Sequence, residues 1–256
     1  MSHARDPYGD VAFYELLHGT YRDDVAFYRS LALDHPGRLL EIGAGTGRLT
    51  REFARLAEAV VALEPADAMR FALQEALTEE AWEGATRVEV RGDTIEAYAQ
   101  AEPEATCDLV LAPFNVLLHA ATLETQDAFL QAAHRCTAPG GLFAFDVIAP
   151  PVGVLEGVPR LELRDDRMDG GEVKVTRVQW HDAVRQVLRN DFEVETLDGE
   201  GSVSRRHVEL TVRYLHRFEL ERAVLQAGFS RVQTFEDFGR APVSASPRHF
   251  VVLAYP

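Results

Sequence analysis

Apolar residues along the chain follow two spacings, one typical of helices and one typical of buried strands. Helical spacing predicts helices over residues 8–33, 49–57, 66–80 and 123–137. Short, nearly continuous apolar runs between them predict strands at residues 38–42, 59–63, 87–91, 107–112 and 142–148. Strands that are apolar on both faces and alternate with helices are typical of a parallel sheet covered on both sides.

The pattern changes after residue 150. Residues 151–216 show no helical period, and β-like spacing instead covers 172–180, 184–196 and 208–214. The alternation slips near Arg177, which a β-bulge would explain. Helical spacing returns over residues 220–227 and ends at Gly228, a residue suited to close a helix. Two further strands are predicted at residues 231–238 and 248–255.

These patterns predict an α/β fold with a Rossmann-like, doubly wound sheet of seven mostly parallel strands and an inserted antiparallel β-sheet. Residues 1–150 and 217–256 would form the core, and residues 1–35 would supply lid helices. Residues 151–216 would form the insert, which would cover the substrate or form a dimer contact. A homodimer is compatible with this pattern, because the edges of an inserted sheet favour pairing.

Composition narrows the classes of function. Asp and Glu number 41 against 26 Lys and Arg, for a net charge of −15, which argues against a nucleic-acid partner. No apolar run reaches the roughly 18 residues of a membrane helix, and the N-terminus has no apolar signal core, so we expect a cytoplasmic protein with no membrane partner. His181, His207 and His216 lack metal-ligand spacing, so no metal site is predicted.

Glycines concentrate where the first predicted strand turns into a helix, at Gly43, Gly45 and Gly47. Such a turn lets the backbone approach a ligand closely. Glu64 ends the next strand, where a carboxylate can accept hydrogen bonds from both hydroxyls of a ribose. This layout fits two nucleoside ligands, a nicotinamide dinucleotide and S-adenosylmethionine.

The spacing of the glycines and the charge of the nearby residues favour S-adenosylmethionine. A dinucleotide pyrophosphate calls for G-x-G-x-x-G at a helix start, whereas the chain has G-x-G-x-G. Glu41 precedes the loop and Asp93 ends the third strand, so three acidic strand ends would surround a cationic ligand without phosphate. The Tyr-x-x-x-Lys pair of one large dehydrogenase class is absent, since Gly170 stands four residues before Lys174. A dinucleotide oxidoreductase remains the weakest alternative.

Five segments, in order over residues 38–148, resemble the motifs of class I S-adenosylmethionine-dependent methyltransferases. They are Glu41–Gly47, Leu63–Pro65, Gly92–Thr94, Asp108–His119 and Pro139–Phe143. More loosely, the insert and residues 213–221 are similar to small-molecule N-methyltransferases such as sugar-amine dimethyltransferases and glycine methyltransferases. The chain departs from the commonest motif by having Glu, not Asp, at position 41, and it lacks the Asn-Pro-Pro-Tyr type of sequence found in many nucleic-acid amino methyltransferases.

The resemblance implies which residues hold S-adenosylmethionine and its product S-adenosylhomocysteine. The methionine portion would lie near Glu41, Gly43, Gly45, Gly47 and Tyr21, the ribose and adenosine near Glu64 and Pro65, the adenine near Asp93 and Thr94, and the sulfonium near Pro113, Phe114 and Asn115.

The resemblance also implies methyl transfer by in-line displacement to a small-molecule acceptor, with an amine nitrogen as the expected target. Such a reaction requires the acceptor and the methyl group to be held in line. His119, just after the fourth strand, is the first candidate for a base or an orienting group, and Tyr14 is the second, although both are equally compatible with a packing role. The alternatives are transfer to oxygen, transfer to tRNA or protein, and binding of S-adenosylmethionine without catalysis.

Overall fold

The computed structural model describes residues 7–79, 82–102, 106–151, 153, 156–166 and 171–256, which contain seven α-helices and eleven strands. The helices are α1 (Val11–His18), α2 (Val25–Asp34), α3 (Thr50–Leu56), α4 (Asp67–Glu79), α5 (Ile95–Ala101), α6 (Leu123–Cys136) and α7 (Arg217–Gln226). The strands are β1 (Arg38–Ile42), β2 (Ala59–Leu63), β3 (Val88–Arg91), β4 (Cys107–Ala112), β5 (Thr137–Ile148), β6 (Arg160–Asp166), β7 (Glu172–Asp182), β8 (Val187–Leu197), β9 (Val203–Arg213), β10 (Arg231–Phe235) and β11 (His249–Tyr255). No helix among these residues has the length and apolar content needed to cross a membrane.

Seven of the strands form one sheet in the order β10-β11-β5-β4-β1-β2-β3. Strands β1 to β5 run parallel to one another, and β11 is antiparallel to both of its neighbours. The chain order reverses between β1 and β4, and open α/β sheets bind ligands beyond the carboxyl ends of the strands at such a position. The prediction of a seven-stranded, mostly parallel sheet is confirmed.

Helices cover both faces of this sheet, as its apolar strands require. Leu40 and Ile42 of β1 belong to the core cluster that includes residues of α5, α6 and α7. Leu39 belongs to the cluster on the other face, which includes residues of α2 and α3. This division follows from the two-residue period of a strand. Burying a side chain of this size contributes roughly 1.5–3 kcal/mol to the free energy of unfolding.

Glu41 shares the Leu39 face of β1, and its side chain therefore lies beneath α3. The hydroxyl of Thr50 in α3 donates a hydrogen bond of 2.6 Å to Glu41 Oε2. Glu41 is only 2% exposed. Burial raises its pKa from 4.5 to about 8, and the opposing effects of the Thr50 hydroxyl and the Arg48 charge are smaller. A carboxylate with this pKa destabilises the folded protein when it is ionised.

The second sheet has the order β6-β7-β8-β9 and is antiparallel throughout. Its strands lie within the predicted insert, and the prediction of an antiparallel sheet there is confirmed. One face of the sheet buries Val175, Phe192 and Val194 against Phe13 of α1. The first helix is therefore held between the second sheet and the rest of the molecule.

The irregularity predicted near Arg177 of β7 is in a different strand. Strand β7 pairs with β8 without a break, whereas the register of β6 against β7 shifts between Leu161 and Leu163. Because the slip on β6 lies opposite residues 175 and 176, it is next to the predicted position but on the neighbouring strand. Strand β6 itself was not predicted, since Leu161 and Leu163 are its only apolar residues.

The prediction of one helical stretch over residues 8–33 is wrong, because α1 ends at His18 and α2 begins at Val25. Arg22 stabilises the turn between them by donating to the carbonyls of Gly19 and Tyr21, at 2.8 and 2.7 Å. Asp24 does not cap α2 with its side chain. Its carboxylate instead accepts two hydrogen bonds from Arg48, at 2.6 and 2.7 Å. Helical spacing alone does not detect such a turn.

Arg213, at the end of β9, connects the second sheet to α6 and α7. Its guanidinium donates to Gln126, to Gln186 at 2.8 Å and to Glu219 at 2.8 Å. Its carbonyl accepts a hydrogen bond of 2.9 Å from Gln126 Nε2. Arg213 is only 5% exposed. If its side chain were removed, water could not fully replace the hydrogen bonds that its partners lose. This buried polar network fixes the second sheet relative to the core.

We expect Arg213→Met to lower the free energy of unfolding by about 2–3 kcal/mol, because it leaves Gln126 and Glu219 without their charged donor. Urea denaturation would measure the change. Arg217→Met is the matched control, since Arg217 pairs with Glu221 on a partly exposed helix surface and its loss should cost less than about 0.5 kcal/mol. Equal losses in the two variants would contradict a structural role for the network.

We also expect Glu41→Gln to stabilise the protein at pH 8 relative to wild type, and to do so less at pH 5. The wild-type carboxyl ionises near pH 4.5 in the unfolded chain and near pH 8 in the folded one, so wild-type stability falls as the pH rises through that window. The difference should reach the order of a few kcal/mol. Urea denaturation at both pH values tests this, with Glu75→Gln on the exposed face of α4 as a control. A difference that does not depend on pH would show that the Glu41 carboxyl is not perturbed.

Candidate functional site

A cavity of about 230 Å³ lies beyond the carboxyl ends of β1, β2 and β4, next to α1. It is called the first cavity below. Its lining residues are Tyr8, Tyr14, Gly43, Gly45, Glu64, Pro65, Ala66, Pro113, Phe114, Val116 and His119. The structure therefore brings together many of the predicted site residues, namely Tyr14, Gly43, Gly45, Glu64, Pro65, Pro113, Phe114 and His119.

The glycine loop after β1 has positive φ at Gly43, Gly45 and Gly47, with values of 71°, 59° and 95°. Glycine adopts this backbone conformation far more readily than other residues. A Cβ atom added to Gly45 would have only the Tyr14 hydroxyl nearby, at 3.7 Å, so the loop is open to a ligand there. Gly47 does not line the first cavity, and a Cβ atom on it would come within 2.4 Å of Leu73. Both its positive φ and the nearby Leu73 and Trp82 side chains disfavour a larger residue at this position.

Glu64 is oriented by the backbone around it. Its Oε2 accepts a hydrogen bond of 2.7 Å from the Gly45 N–H, and its Oε1 accepts one of 2.9 Å from the Ala66 N–H. Glu64 is 7% exposed and lines the first cavity. A carboxylate offers about four acceptor positions, so it can bind ligand hydroxyls while backbone bonds fix its direction.

Two consecutive residues after β4, Phe114 and Asn115, have φ of 60° and 67°, a conformation that is uncommon outside glycine. Asp146 of β5 holds this turn, because its Oδ1 accepts from the Phe114 N–H at 2.8 Å and from the Tyr28 hydroxyl at 2.6 Å. Asn115 Oδ1 in turn accepts from the Ile148 N–H at 2.6 Å. Strained residues held by surrounding bonds are typical of functional sites.

Asn115 therefore stabilises this turn. It lines the adjoining cavity described below and not the first cavity, and its place beside a sulfonium stays a prediction.

His119 is hydrogen-bonded to a residue that precedes α1. The Tyr8 hydroxyl lies 2.8 Å from His119 Nε2, and the two rings meet edge to face with centroids 5.2 Å apart. Either atom can donate, depending on the tautomer of His119. The pair therefore forms a hydrogen-bonded unit in the wall of the first cavity.

A second cavity of about 360 Å³ lies between α1, the segment after β4 and the inner face of the second sheet. Its walls are mostly apolar, with Phe13, Leu17, Leu118 and Phe192 among them. It shares four lining residues with the first cavity, which are Tyr8, Tyr14, Phe114 and His119. The two cavities therefore meet at one group of ring-bearing side chains.

Aromatic contacts connect α1 to the Phe114 turn. The ring of His18 lies 5.2 Å from that of Tyr14 and 5.0 Å from that of Phe114. Burial raises the pKa of Tyr14 to about 12, so at neutral pH its phenol remains protonated and is a poor proton acceptor. Tyr21 packs on Phe114 with ring centroids 5.1 Å apart, but it lies behind that ring, against Arg48, and lines neither cavity.

Three further predicted residues lie outside both cavities. Glu41 is buried beneath α3, as described above. Asp93 accepts a hydrogen bond of 2.8 Å from Arg91 Nε, and Thr94 caps α5 by accepting one of 3.3 Å from the Ala97 N–H. Contact of Asp93 and Thr94 with an adenine ring stays a prediction. The described residues include no group of His, Cys, Asp and Glu that could hold a metal ion.

Sequence reasoning missed two residues that matter to this site, Tyr8 and Asp146. Tyr8 lies in the aromatic-rich start of the chain, where helical spacing gave no reason to separate it from its neighbours. Asp146 did carry a signal, since it is the single acidic residue in the otherwise apolar run of β5, where a buried charge requires hydrogen-bond partners.

Comparison with known families finds one match. Residues 39–141 match the family described as "Methyltransferase domain". This range begins in β1 and ends in β5, and it contains the glycine loop, Glu64, the Phe114 turn and His119. No curated protein matches the sequence.

Several solved structures are similar to this chain. The CcbJ methyltransferase from Streptomyces caelestis is 21% identical, with 93% of this chain and 97% of that chain covered and a TM-score of 0.77. The sugar N-methyltransferase KedS8 from Streptoalloteichus sp is 16% identical, with 100% and 96% covered and a TM-score of 0.76. CalS10, an amino pentose methyltransferase from Micromonospora echinaspora solved with S-adenosylmethionine bound, is 19% identical, with 100% and 99% covered and a TM-score of 0.73.

At these identities the solved structures establish the fold alone, and the family match covers residues 39–141. The predicted fold class is confirmed by both the topology of the sheets and this likeness. Residues 39–141 match a methyltransferase domain, in agreement with the predicted class of enzyme.

Proposed function

We propose that this protein transfers a methyl group from S-adenosylmethionine to an amine nitrogen of a small molecule. The observation that carries the proposal is the meeting of two cavities at Tyr8, Tyr14, Phe114 and His119. One cavity lies at the glycine loop and Glu64, and the other lies under a separate sheet. Two ligands bound in them would have their reacting ends at this shared group of side chains, as an in-line transfer requires.

The residues of the first cavity fit S-adenosylmethionine. Glu64 would hold the ribose hydroxyls, and the open backbone at Gly45 would lie along the methionine portion. Pro65, Pro113 and Phe114 would contact the apolar surfaces of the nucleoside. When bound, this cofactor supplies a methyl group that is already activated by a positive sulfur. The protein's contribution is therefore to position the acceptor and exclude water.

The Tyr8–His119 pair would manage the proton of the acceptor. A neutral amine attacks the methyl group, and the nitrogen must then lose a proton. With Nε2 of His119 protonated and donating to Tyr8, the Tyr8 oxygen keeps a lone pair that can accept from an N–H of the amine and orient it, which leaves the amine lone pair free to attack. With Nε2 unprotonated, His119 can accept a proton through Tyr8. Transfer to nitrogen rather than oxygen is further supported by the sugar N-methyltransferase KedS8 and the amino pentose methyltransferase CalS10 among the similar structures.

The second sheet would act as the cover of the acceptor site, since its inner face supplies one wall of the second cavity. A division into a core of residues 1–150 and 217–256 and an insert of residues 151–216 agrees with this role. Four properties stay predictions, namely a small-molecule acceptor, a cytoplasmic location, the lack of a nucleic-acid partner and a homodimer.

We expect Glu64→Gln to weaken binding of S-adenosylhomocysteine by roughly 5- to 150-fold, equivalent to about 1–3 kcal/mol for a lost charged hydrogen bond. Isothermal titration calorimetry would measure the affinity, with NAD as a ligand that should not bind. Asp67→Asn is the matched control, because that carboxylate is three residues away and 91% exposed. Unchanged affinity in Glu64→Gln, or binding of NAD in place of S-adenosylhomocysteine, would refute the assignment of the first cavity.

We expect His119→Ala and Tyr8→Phe each to slow methyl transfer by 10-fold or more and to change S-adenosylhomocysteine affinity less than 3-fold. General acid–base groups accelerate reactions by about 10²–10⁴-fold. In the variants, water that reaches the site can replace part of this effect, so the expected loss in rate is smaller. Product formation by mass spectrometry with a panel of primary and secondary amines would give the rates. Wild-type turnover in both variants would show that Tyr8 and His119 have only a packing role.

A further inference from the structure

The second cavity has a distinct charge. The lining residues that the structure describes include no Asp or Glu, although the chain has 41 of them. The polar side chains of its sheet wall are Arg177, Gln179 and Asn190. Gln179 Nε2 donates a hydrogen bond of 2.9 Å to Asn190 Oδ1, so these two amides are paired with each other. Arg177 is then the one residue of this wall that carries a full charge.

Arg177 has few partners for a guanidinium. Its Nη2 lies 3.0 Å from Glu162 Oε1, in an ion pair whose side chains are 27% and 28% exposed. Its Nε is buried without a hydrogen-bond partner. A guanidinium has five N–H donors in a fixed planar arrangement, so this one has capacity for another acceptor. Glu162 belongs to the edge strand β6 and does not line the second cavity.

The position of Arg177 on the strand explains why it faces the cavity. Strand β7 buries Val173 and Val175 on its inner face, and the two-residue period places Arg177 and Gln179 on that same face. Sequence patterning would place an apolar residue here, as it does at the neighbouring inner position Phe192, which pairs with Arg177 in the ladder. A charge at an otherwise apolar position is costly unless a partner offsets it.

The charged side chains that line the two cavities therefore have opposite signs. The first cavity has the Glu64 carboxylate and receives a cationic cofactor under the proposed function. The second has a guanidinium and no carboxylate among its described lining residues. In a chain of net charge −15, an acceptor attracted only by the overall field would be cationic. The Arg177 wall of the second cavity instead favours an anionic group, since a close charge that is shielded from water outweighs distant charges.

We propose that the methyl acceptor is an amine that also carries a carboxylate, and that Arg177 binds this carboxylate in the second cavity. The inference rests on the proposed function and specifies its substrate class. The amine would lie at the shared group of Tyr8 and His119, and the carboxylate would lie at the sheet wall. The apolar residues between these ends fit a hydrocarbon or ring body.

The test compares two acceptors that differ only in this charge, 4-(aminomethyl)benzoate and its neutral amide, 4-(aminomethyl)benzamide. Their affinities are measured by calorimetry on the full protein with S-adenosylhomocysteine bound, and their methylation is followed by mass spectrometry with S-adenosylmethionine. The variant is Arg177→Gln, which keeps hydrogen-bonding capacity without the charge. The control is Arg189→Gln, because Arg189 belongs to the same sheet but does not line the second cavity.

We expect wild type and Arg189→Gln to bind the benzoate at least 10-fold more tightly than the amide, and Arg177→Gln to reduce that preference below 3-fold. Equal binding of the two compounds by wild type, binding of neither, or an unchanged preference in Arg177→Gln would overturn the proposal. If the protein methylated only amines that carry no carboxylate, the carboxylate proposal would be wrong and the proposed function would still hold. A protein that binds S-adenosylhomocysteine but methylates no amine would reject the proposed function and this inference together.

Discussion

A single buried carboxylate, that of Asp146, holds the turn on which both cavities depend. It accepts hydrogen bonds from the Phe114 N–H and the Tyr28 hydroxyl, and its side chain is otherwise shut off from water. Two consecutive non-glycine residues with positive φ cost on the order of 1–3 kcal/mol each, so they persist only under such constraint. Burial raises the pKa of Asp146 to about 6, which still leaves it ionised at neutral pH, when it is purely an acceptor and matches its two donors.

The Phe114 ring that this turn positions lines both cavities, and α1 contributes to the same wall. Phe13 of α1 packs into the second sheet, Tyr14 lines both cavities, and Glu15 accepts a hydrogen bond of 2.6 Å from the Thr46 hydroxyl in the glycine loop. One short helix thus contacts the second sheet, the shared wall and the loop. Loss of any one contact would alter the spacing between the two cavities, and under the proposed function methyl transfer is sensitive to that spacing.

The sequence predicted the first cavity well because its parts are local. A strand, a glycine turn and an acidic residue at the next strand end occur within short segments whose geometry follows from the chain itself. Glu41 precedes the loop, and the two-residue period of β1 directs its side chain beneath α3; its contact with the methionine portion, which the resemblance implies, stays a prediction. Tyr8 and Asp146 could not be assigned roles, because the contacts that define them cross more than 25 residues of chain and depend on tertiary packing.

The second cavity is harder to read from sequence for a related reason. Its walls come from α1, the segment after β4 and three strands of the second sheet, and each contributing residue has an ordinary pattern in its own element. In the sequence, Arg177 is one polar residue in a strand with imperfect alternation of apolar and polar positions, and this irregularity suggested a bulge. Only the ladder, which sets Arg177 beside Phe192 on the buried face, shows a charge where packing calls for an apolar group. Such a mismatch between local pattern and tertiary position is where specificity for an acceptor is expected, because Glu162 offsets the Arg177 charge only in part and a ligand of opposite charge would offset the rest.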